Sequence, residues 1–166
     1  MGWAIQSGIT EQTAWYVSQD GRLDIAKLLA AFQDFFREHS EHWVERFQYK
    51  EAGPQLLLQA FLQRIVNGGG RIEREYGLGR LRTDLLIIWP YGDQVQKGAI
   101  ELKVLHTSLE QTLAAGLHQT WEYMDHCATD EEHLVIFDRT PGKSWEEKIY
   151  RRQEQVRGRT ITVWGM

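Results

Sequence analysis

The spacing of apolar residues predicts helices in the first part of the chain. Between about Asp24 and His39 they recur every three or four positions, as on an amphipathic helix that Asp24 can cap. A second helical stretch is predicted over 41–47. A third runs from Pro54, which suits a first helical turn, to Val66, where the sequence Asn-Gly-Gly-Gly ends it.

Strand patterns then alternate with one long helix. The predicted strands are Arg71–Tyr76, Thr83–Trp89, Gly98–Leu105 and Glu132–Phe137, with a short strand-like piece at 14–17 and a helix from about Ser108 to His126. The turn sequence Pro-Tyr-Gly-Asp at 90–93 favours adjacent second and third strands. Continuous apolar strands mixed with helices are typical of a sheet covered on both faces, so the predicted fold class is α/β.

Composition narrows the class of protein. With 166 residues, 42% of them hydrophobic and 25% charged, the chain has the size and composition of one globular domain with a small appendage. No segment has the pattern of a signal peptide or of a membrane span, and no membrane partner is expected. Because Cys127 is the single cysteine, no internal disulfide is expected, and the cytoplasm is the predicted location.

Charge is unevenly distributed along the chain. The net charge of −4 gives no overall attraction to nucleic acid. Residues 1–51 carry eight acids against five bases, whereas 143–159 carry six bases against three acids. Four arginines form a further basic group within and after the first predicted strand: Arg71, Arg74, Arg80 and Arg82. Taken alone, the basic tail is best interpreted as a solvated face.

Charged residues also interrupt two of the apolar strands. Asp84 opens the run Leu-Leu-Ile-Ile-Trp, and Glu101 and Lys103 lie within Ala-Ile-Glu-Leu-Lys-Val. Side chains alternate along a strand, so Glu101 and Lys103 point to one face, and Asp84 can converge with them if its strand is the neighbour. Two carboxylates at one place predict a site for Mg²⁺ or Mn²⁺. The alternative is a salt-bridged pair, Glu101 with Lys103, on a solvent-facing strand edge.

Two residues on the next predicted helix add to this set. Gln119 and Tyr123 are four positions apart, so they lie on one helix face. Together with Asp84, Glu101 and Lys103, they resemble the motifs of the PD-(D/E)XK nuclease superfamily. The resemblance implies that Asp84 is the motif aspartate and that Glu101 and Lys103 are the (D/E)XK pair. It also implies that Gln119 and Tyr123 are the Gln-x-x-x-Tyr motif of the exonuclease branch.

The resemblance implies a fold and a closer group of relatives. The fold is a restriction-endonuclease-like αβββαβ core, a mixed sheet flanked by helices, in residues 51–166, preceded by a helical extension in 1–50. The nearest likeness is to nuclease-like domains at the C-terminal end of AAA-type ATPase-like bacterial proteins, in which Glu51 matches an acid of the first helix. The chain departs from the pattern in two places: Thr83 replaces the usual proline, and Arg80 is displaced from the Gly-Arg-x-Asp pattern of those relatives.

The implied activity is metal-dependent hydrolysis of nucleic acid, with DNA favoured. Asp84, Glu101 and Glu51 would bind Mg²⁺ or Mn²⁺, while Lys103 would act on the attacking water or the phosphate. Gln119 and Tyr123 would orient these groups, and Arg80 and Arg82 would contact nucleic acid. A homodimer is expected only by analogy.

Two alternatives remain open. One is a catalytically silent binding or regulatory module of the same fold, associated with an ATPase domain or subunit. The other is an interaction protein that presents the amphipathic helix of residues 1–50 to another subunit.

Overall fold

A computed structural model describes residues 14–47, 53–76, 83–105, 109–127 and 129–166. At residues 14, 40–47, 75–76, 83–84 and 122–127 the description is of the backbone. Among the described residues, none of the helices is both long enough and apolar enough to cross a membrane.

Two helices precede the sheet: α1 spans Ile25–Phe47 and α2 spans Gly53–Val66. The predicted cap is present, since the side chain of Asp24 accepts a hydrogen bond of 3.0 Å from the backbone N–H of Lys27. The predicted break between two helices near residue 40 is wrong. The sequence His-Ser-Glu there contains no glycine or proline, and α1 continues through it as one helix.

Six strands form one mixed sheet. The remaining elements are β1 Arg71–Tyr76, β2 Thr83–Tyr91, β3 Gln94–Leu105, α3 Leu109–Cys127, β4 Glu131–Asp138, α4 Trp145–Lys148, β5 Tyr150–Val156 and β6 Arg159–Gly165. The strand order is β1-β2-β3-β4-β6-β5. Strand β4 pairs in parallel with β3 and β6, and the other pairs are antiparallel. The predicted α/β class, with a mixed sheet flanked by helices, is confirmed.

Two local predictions need correction. The piece at 14–17 is not a strand: Ala14–Tyr16 forms a 3₁₀ turn, and Val17 makes an isolated bridge with Leu23. The basic tail, for which no strand was predicted, contains the β5–β6 hairpin. Its turn is Arg157-Gly158, and both residues adopt positive φ, as a two-residue hairpin turn requires.

Each face of the sheet has its own apolar layer. Helices α1 and α2 cover one face in a core that includes Leu28, Leu29, Phe32, Leu58, Leu62, Leu85, Ile87, Ile100, Val135 and Trp164. Helix α3 covers part of the other face through Leu109, Leu113 and Leu117, which pack on Leu105, Leu134, Ile136, Ile161 and Val163. The first half of α1 therefore shares a core with the sheet. The predicted division at residues 50 and 51 lies outside the described residues.

Candidate functional site

The predicted acids occupy facing positions on neighbouring strands. Strands β2 and β3 form an antiparallel hairpin around Gly92-Asp93, and Asp84 is the direct pairing partner of Glu101. Thr83 pairs with Leu102, one position further along the ladder. In such a ladder, directly opposite residues lie on the same face of the sheet. The backbone therefore brings the two acidic positions together, as the sequence predicted for adjacent strands.

Glu101 is buried in the centre of the sheet. Its side chain is 1% exposed, and its Oε1 lies 3.7 Å from the Nζ of Lys103, whose side chain is 18% exposed. This contact agrees with the prediction that the side chains of Glu101 and Lys103 lie on the same face of the sheet. Strand β3 lies between β2 and β4, so the ion pair is not on a solvent-facing sheet edge. Burying a carboxylate costs free energy, and the Lys103 ammonium offsets part of this cost.

The predicted helix residues lie on α3, which packs against β3 and β4. Gln119 is half-buried on this helix. Tyr123 lies one helical turn further along the backbone of α3. Close packing holds the helix to the sheet, because Gly116 lies directly against Leu134 and a side chain at position 116 would overlap it. The structure thus places Gln119 and Tyr123 on the helix that packs against the strand carrying Glu101 and Lys103.

Three other predicted site residues, Glu51, Arg80 and Arg82, lie outside the described residues. Within the described part of the chain, no three His, Cys, Asp or Glu side chains are grouped so that they could hold a metal ion. The donor type nevertheless fits the predicted metal. Carboxylate oxygens, of which Glu101 presents a buried one opposite the position of Asp84, are the preferred ligands of Mg²⁺ and Mn²⁺.

A buried polar network on β4 was not predicted from the sequence. The indole Nε1 of Trp164 donates to Nδ1 of His133 at 3.0 Å, so that ring nitrogen carries no proton. The proton therefore sits on Nε2, which lies 2.7 Å from Oε1 of Glu131. Burial raises the pKa of Glu131, but the hydrogen bond from His133, together with the charge of Arg22, outweighs burial and holds the pKa below its usual value. The network ties β4 to β6 inside the fold.

A second charged pair lies at the carboxyl end of β4. Asp138 pairs in the ladder with Leu105, two residues beyond Lys103. Burial raises its pKa, but hydrogen bonds from the Lys143 ammonium (2.7 Å) and the Thr140 backbone N–H (3.0 Å) lower the pKa below the usual value. Asp138 therefore stays ionised and fixes the loop that follows β4.

Comparison with known proteins adds no relative: no family model, curated protein or solved structure matches the chain.

Proposed function

We propose that this chain is a Mg²⁺- or Mn²⁺-dependent nuclease that hydrolyses phosphodiester bonds of nucleic acid, with DNA favoured. The observation that carries the proposal is the register of β2 and β3, in which Asp84 faces a buried Glu101. Directly opposite residues have Cβ atoms about 4.5–5.5 Å apart, close enough for two carboxylates to share one cation.

A metal site would offset the electrostatic cost of this arrangement. Two carboxylates at facing positions repel each other, and burial increases that repulsion because the surroundings are less polarisable than water. One lysine can neutralise one carboxylate, and Lys103 is already 3.7 Å from Glu101. A divalent cation bound between two facing carboxylates would offset their repulsion.

Each residue then has a defined task. Asp84 and Glu101 would hold the cation, and Glu51 would add a further carboxylate. When bound, the cation would supply Lewis-acid stabilisation of the phosphate oxygens. The Lys103 ammonium would lie beside the reacting phosphate and stabilise the negative charge that grows on it, or orient the attacking water. Gln119 and Tyr123 would position Lys103, and Arg80 and Arg82 would contact the phosphate backbone.

The order of elements supports a restriction-endonuclease-like core. Helix α2 is followed by β1, β2 and β3, then by α3 and β4, which is the αβββαβ succession that the sequence predicts. The chain adds the β5–β6 hairpin beyond that core.

The test is a cleavage assay with three proteins: wild type, Lys103→Ala and the matched control Lys97→Ala. Lys97 lies six residues earlier on the same strand, and because side chains alternate along a strand it is on the same face as Lys103. Labelled single-stranded, duplex and branched DNA and RNA are incubated with and without Mn²⁺. We expect Mn²⁺-dependent cleavage by wild type and by Lys97→Ala, and a loss of at least about 100-fold in Lys103→Ala. Equal cleavage by all three proteins would show that Lys103 does not take part in catalysis.

The ion pair between Glu101 and Lys103 favours a second candidate function, a catalytically silent module of the same fold that serves an ATPase domain or subunit. Such a pair can persist without a metal. The two candidates differ in metal binding, since the nuclease should gain thermal stability from Mn²⁺ and lose that gain in Glu101→Gln. A folded wild type that neither cleaves nor responds to Mn²⁺ would favour the silent module.

A further inference from the structure

The β5 strand forms one edge of the sheet and carries exposed arginines on both of its faces: Arg152 pairs with Val163 on the α3 side, and Arg151 pairs with Trp164 on the side of α1 and α2. The strand pairs with β6 on one side and lies last in the strand order. Arg151 and Arg152 on the strand, and Arg157 in the hairpin turn, are all exposed. We call these three residues the hairpin arginines.

Each hairpin arginine lies over an aromatic ring. The guanidinium carbon of Arg151 is 4.7 Å from the ring centroid of Trp164, that of Arg152 is 5.4 Å from Tyr150, and that of Arg157 is 4.3 Å from Trp121. Trp164 is itself 1% exposed. A guanidinium stacked in this way uses its flat face and keeps its N–H edge for other contacts, which in Arg152 include Glu154 (Nε to Oε1, 3.3 Å). The rings therefore fix the arginines before any ligand binds, which reduces the entropy lost on binding.

The local charge differs from that of the whole chain. Residues 143–159 carry six bases and three acids in a protein of net charge −4. Two of those acids are already paired, Glu146 with Arg37 at 3.7 Å and Glu154 with Arg152 at 3.3 Å. Within the described part of the chain, Arg151 and Arg157 contact rings and no carboxylate. A merely solvated basic face does not require rings beneath its arginines, whereas a surface for a polyanion gains from them.

The hairpin also lies within reach of the candidate site. Lys103 pairs with Ile136, Ile136 with Gly165, and Gly165 with Tyr150. Three strand spacings of about 4.8 Å put about 14 Å between the backbones of Lys103 and Tyr150. Arg152 over Tyr150 and Arg157 over Trp121 lie on the side of the sheet that Lys103 faces. A duplex that reaches Lys103 can therefore extend to these two arginines, and Arg151 lies on the other side of the same edge strand.

We infer that the hairpin arginines bind the phosphate backbone of duplex nucleic acid, and, resting on the function proposed above, that this duplex is the substrate of the Lys103 site. Because these contacts are to phosphates, the hairpin contributes to the affinity for the duplex and to its position on the protein, without preference for base sequence.

The test measures binding without cleavage. A fluorescein-labelled duplex of about 20 base pairs is titrated in EDTA at several salt concentrations and followed by anisotropy. The variant is the double substitution Arg151→Glu with Arg157→Glu. The matched control is Lys27→Glu with Arg64→Glu, two exposed cations on α1 and α2 that give the same net charge. Circular dichroism and thermal melting confirm that both variants are folded.

We expect the hairpin variant to bind at least about tenfold more weakly than wild type, with a log–log salt slope smaller by about two. The control should bind within about twofold of wild type. Equal losses in both variants would show a general charge effect and overturn the inference. No binding by wild type at low salt would also overturn it, as would a change in the self-association of the hairpin variant with unchanged duplex binding. Because EDTA removes the metal, failure of the nuclease proposal leaves this result unaffected.

Discussion

Phe32 is the strongest test of whether α1 belongs to the core of the domain. Its side chain is 0% exposed. Its ring centroid lies 5.4 Å from that of Phe61 on α2 and 5.8 Å from that of Phe36, one turn along α1. The substitution Phe32→Ala removes the ring and leaves a cavity between the two helices and the sheet.

The expected cost follows from burial. Truncating a buried phenylalanine to alanine costs about 3–5 kcal/mol, because transfer free energy is lost and the cavity does not fully collapse. The two ring pairs are worth about 0.5–1.5 kcal/mol each beyond their buried area, which places Phe32 in the middle of that range or above it. We therefore expect the free energy of unfolding to fall by about 4 kcal/mol, a large part of the roughly 5–15 kcal/mol typical of a domain.

Urea denaturation followed by tryptophan fluorescence and circular dichroism measures this change. With an m-value of about 2 kcal/mol per molar, the midpoint should fall by about 2 M. The matched control is Asp34→Ala, an exposed position on the same helix, which should change stability by less than about 0.5 kcal/mol. A midpoint shift below about 0.5 M in Phe32→Ala, with an unchanged m-value, would show that α1 is a separable extension and refute the reasoning.

Two further predictions concern ionisation and edge-strand anchoring. The pKa of Glu131 is lowered because its bond to His133 outweighs burial, so Glu131→Gln should lower stability near pH 7, and the difference should vanish as pH falls through the acid range. Burial raises the pKa of the neighbouring Glu132, so Glu132→Gln should raise stability near pH 7 and match wild type at low pH. Urea midpoints measured between pH 3 and 7 test both variants. If the two substitutions changed stability in the same direction, the opposite pKa shifts of Glu131 and Glu132 would be contradicted. The side-chain Nε2 of Gln33 donates to backbone carbonyls of both β5 and β6, at 3.1 and 2.7 Å. The substitution Gln33→Leu should therefore lower the free energy of unfolding by about 1–3 kcal/mol in the same assay. The control Asp34→Ala should show no change.

Elements whose signals are local could be predicted from the sequence. Helix α2 begins near a proline suited to its first turn and ends at three glycines, and the apolar run 85–89 is long enough to be recognised as a strand. The pairing of β2 with β3 follows from the short turn between them, so the facing positions of Asp84 and Glu101 could also be anticipated.

Elements that depend on distant partners could not be predicted in this way. Strand β5 reads Tyr-Arg-Arg-Gln-Glu-Gln-Val, with few apolar residues, and its pairing with β6 stabilises it more than its own pattern does. The hydrogen bond between Trp164 and His133 joins residues 31 positions apart, and no local spacing indicates it. The rings under Arg151 and Arg157 belong to residues distant in sequence, so the sequence alone favours a solvated face for the basic tail.

The hairpin that joins β2 and β3 limits how the length of this chain can vary. Asp84 precedes Tyr91 by as many residues as Glu101 follows Gln94, and Tyr91 pairs with Gln94 across the turn. Gly92 supplies the positive φ that the turn needs. One residue inserted into one strand between its acid and the turn would put the two acids out of register with each other, whereas one residue added to both strands would keep them as direct pairing partners. Insertions and deletions here therefore keep the two acids paired only when they are matched in both strands.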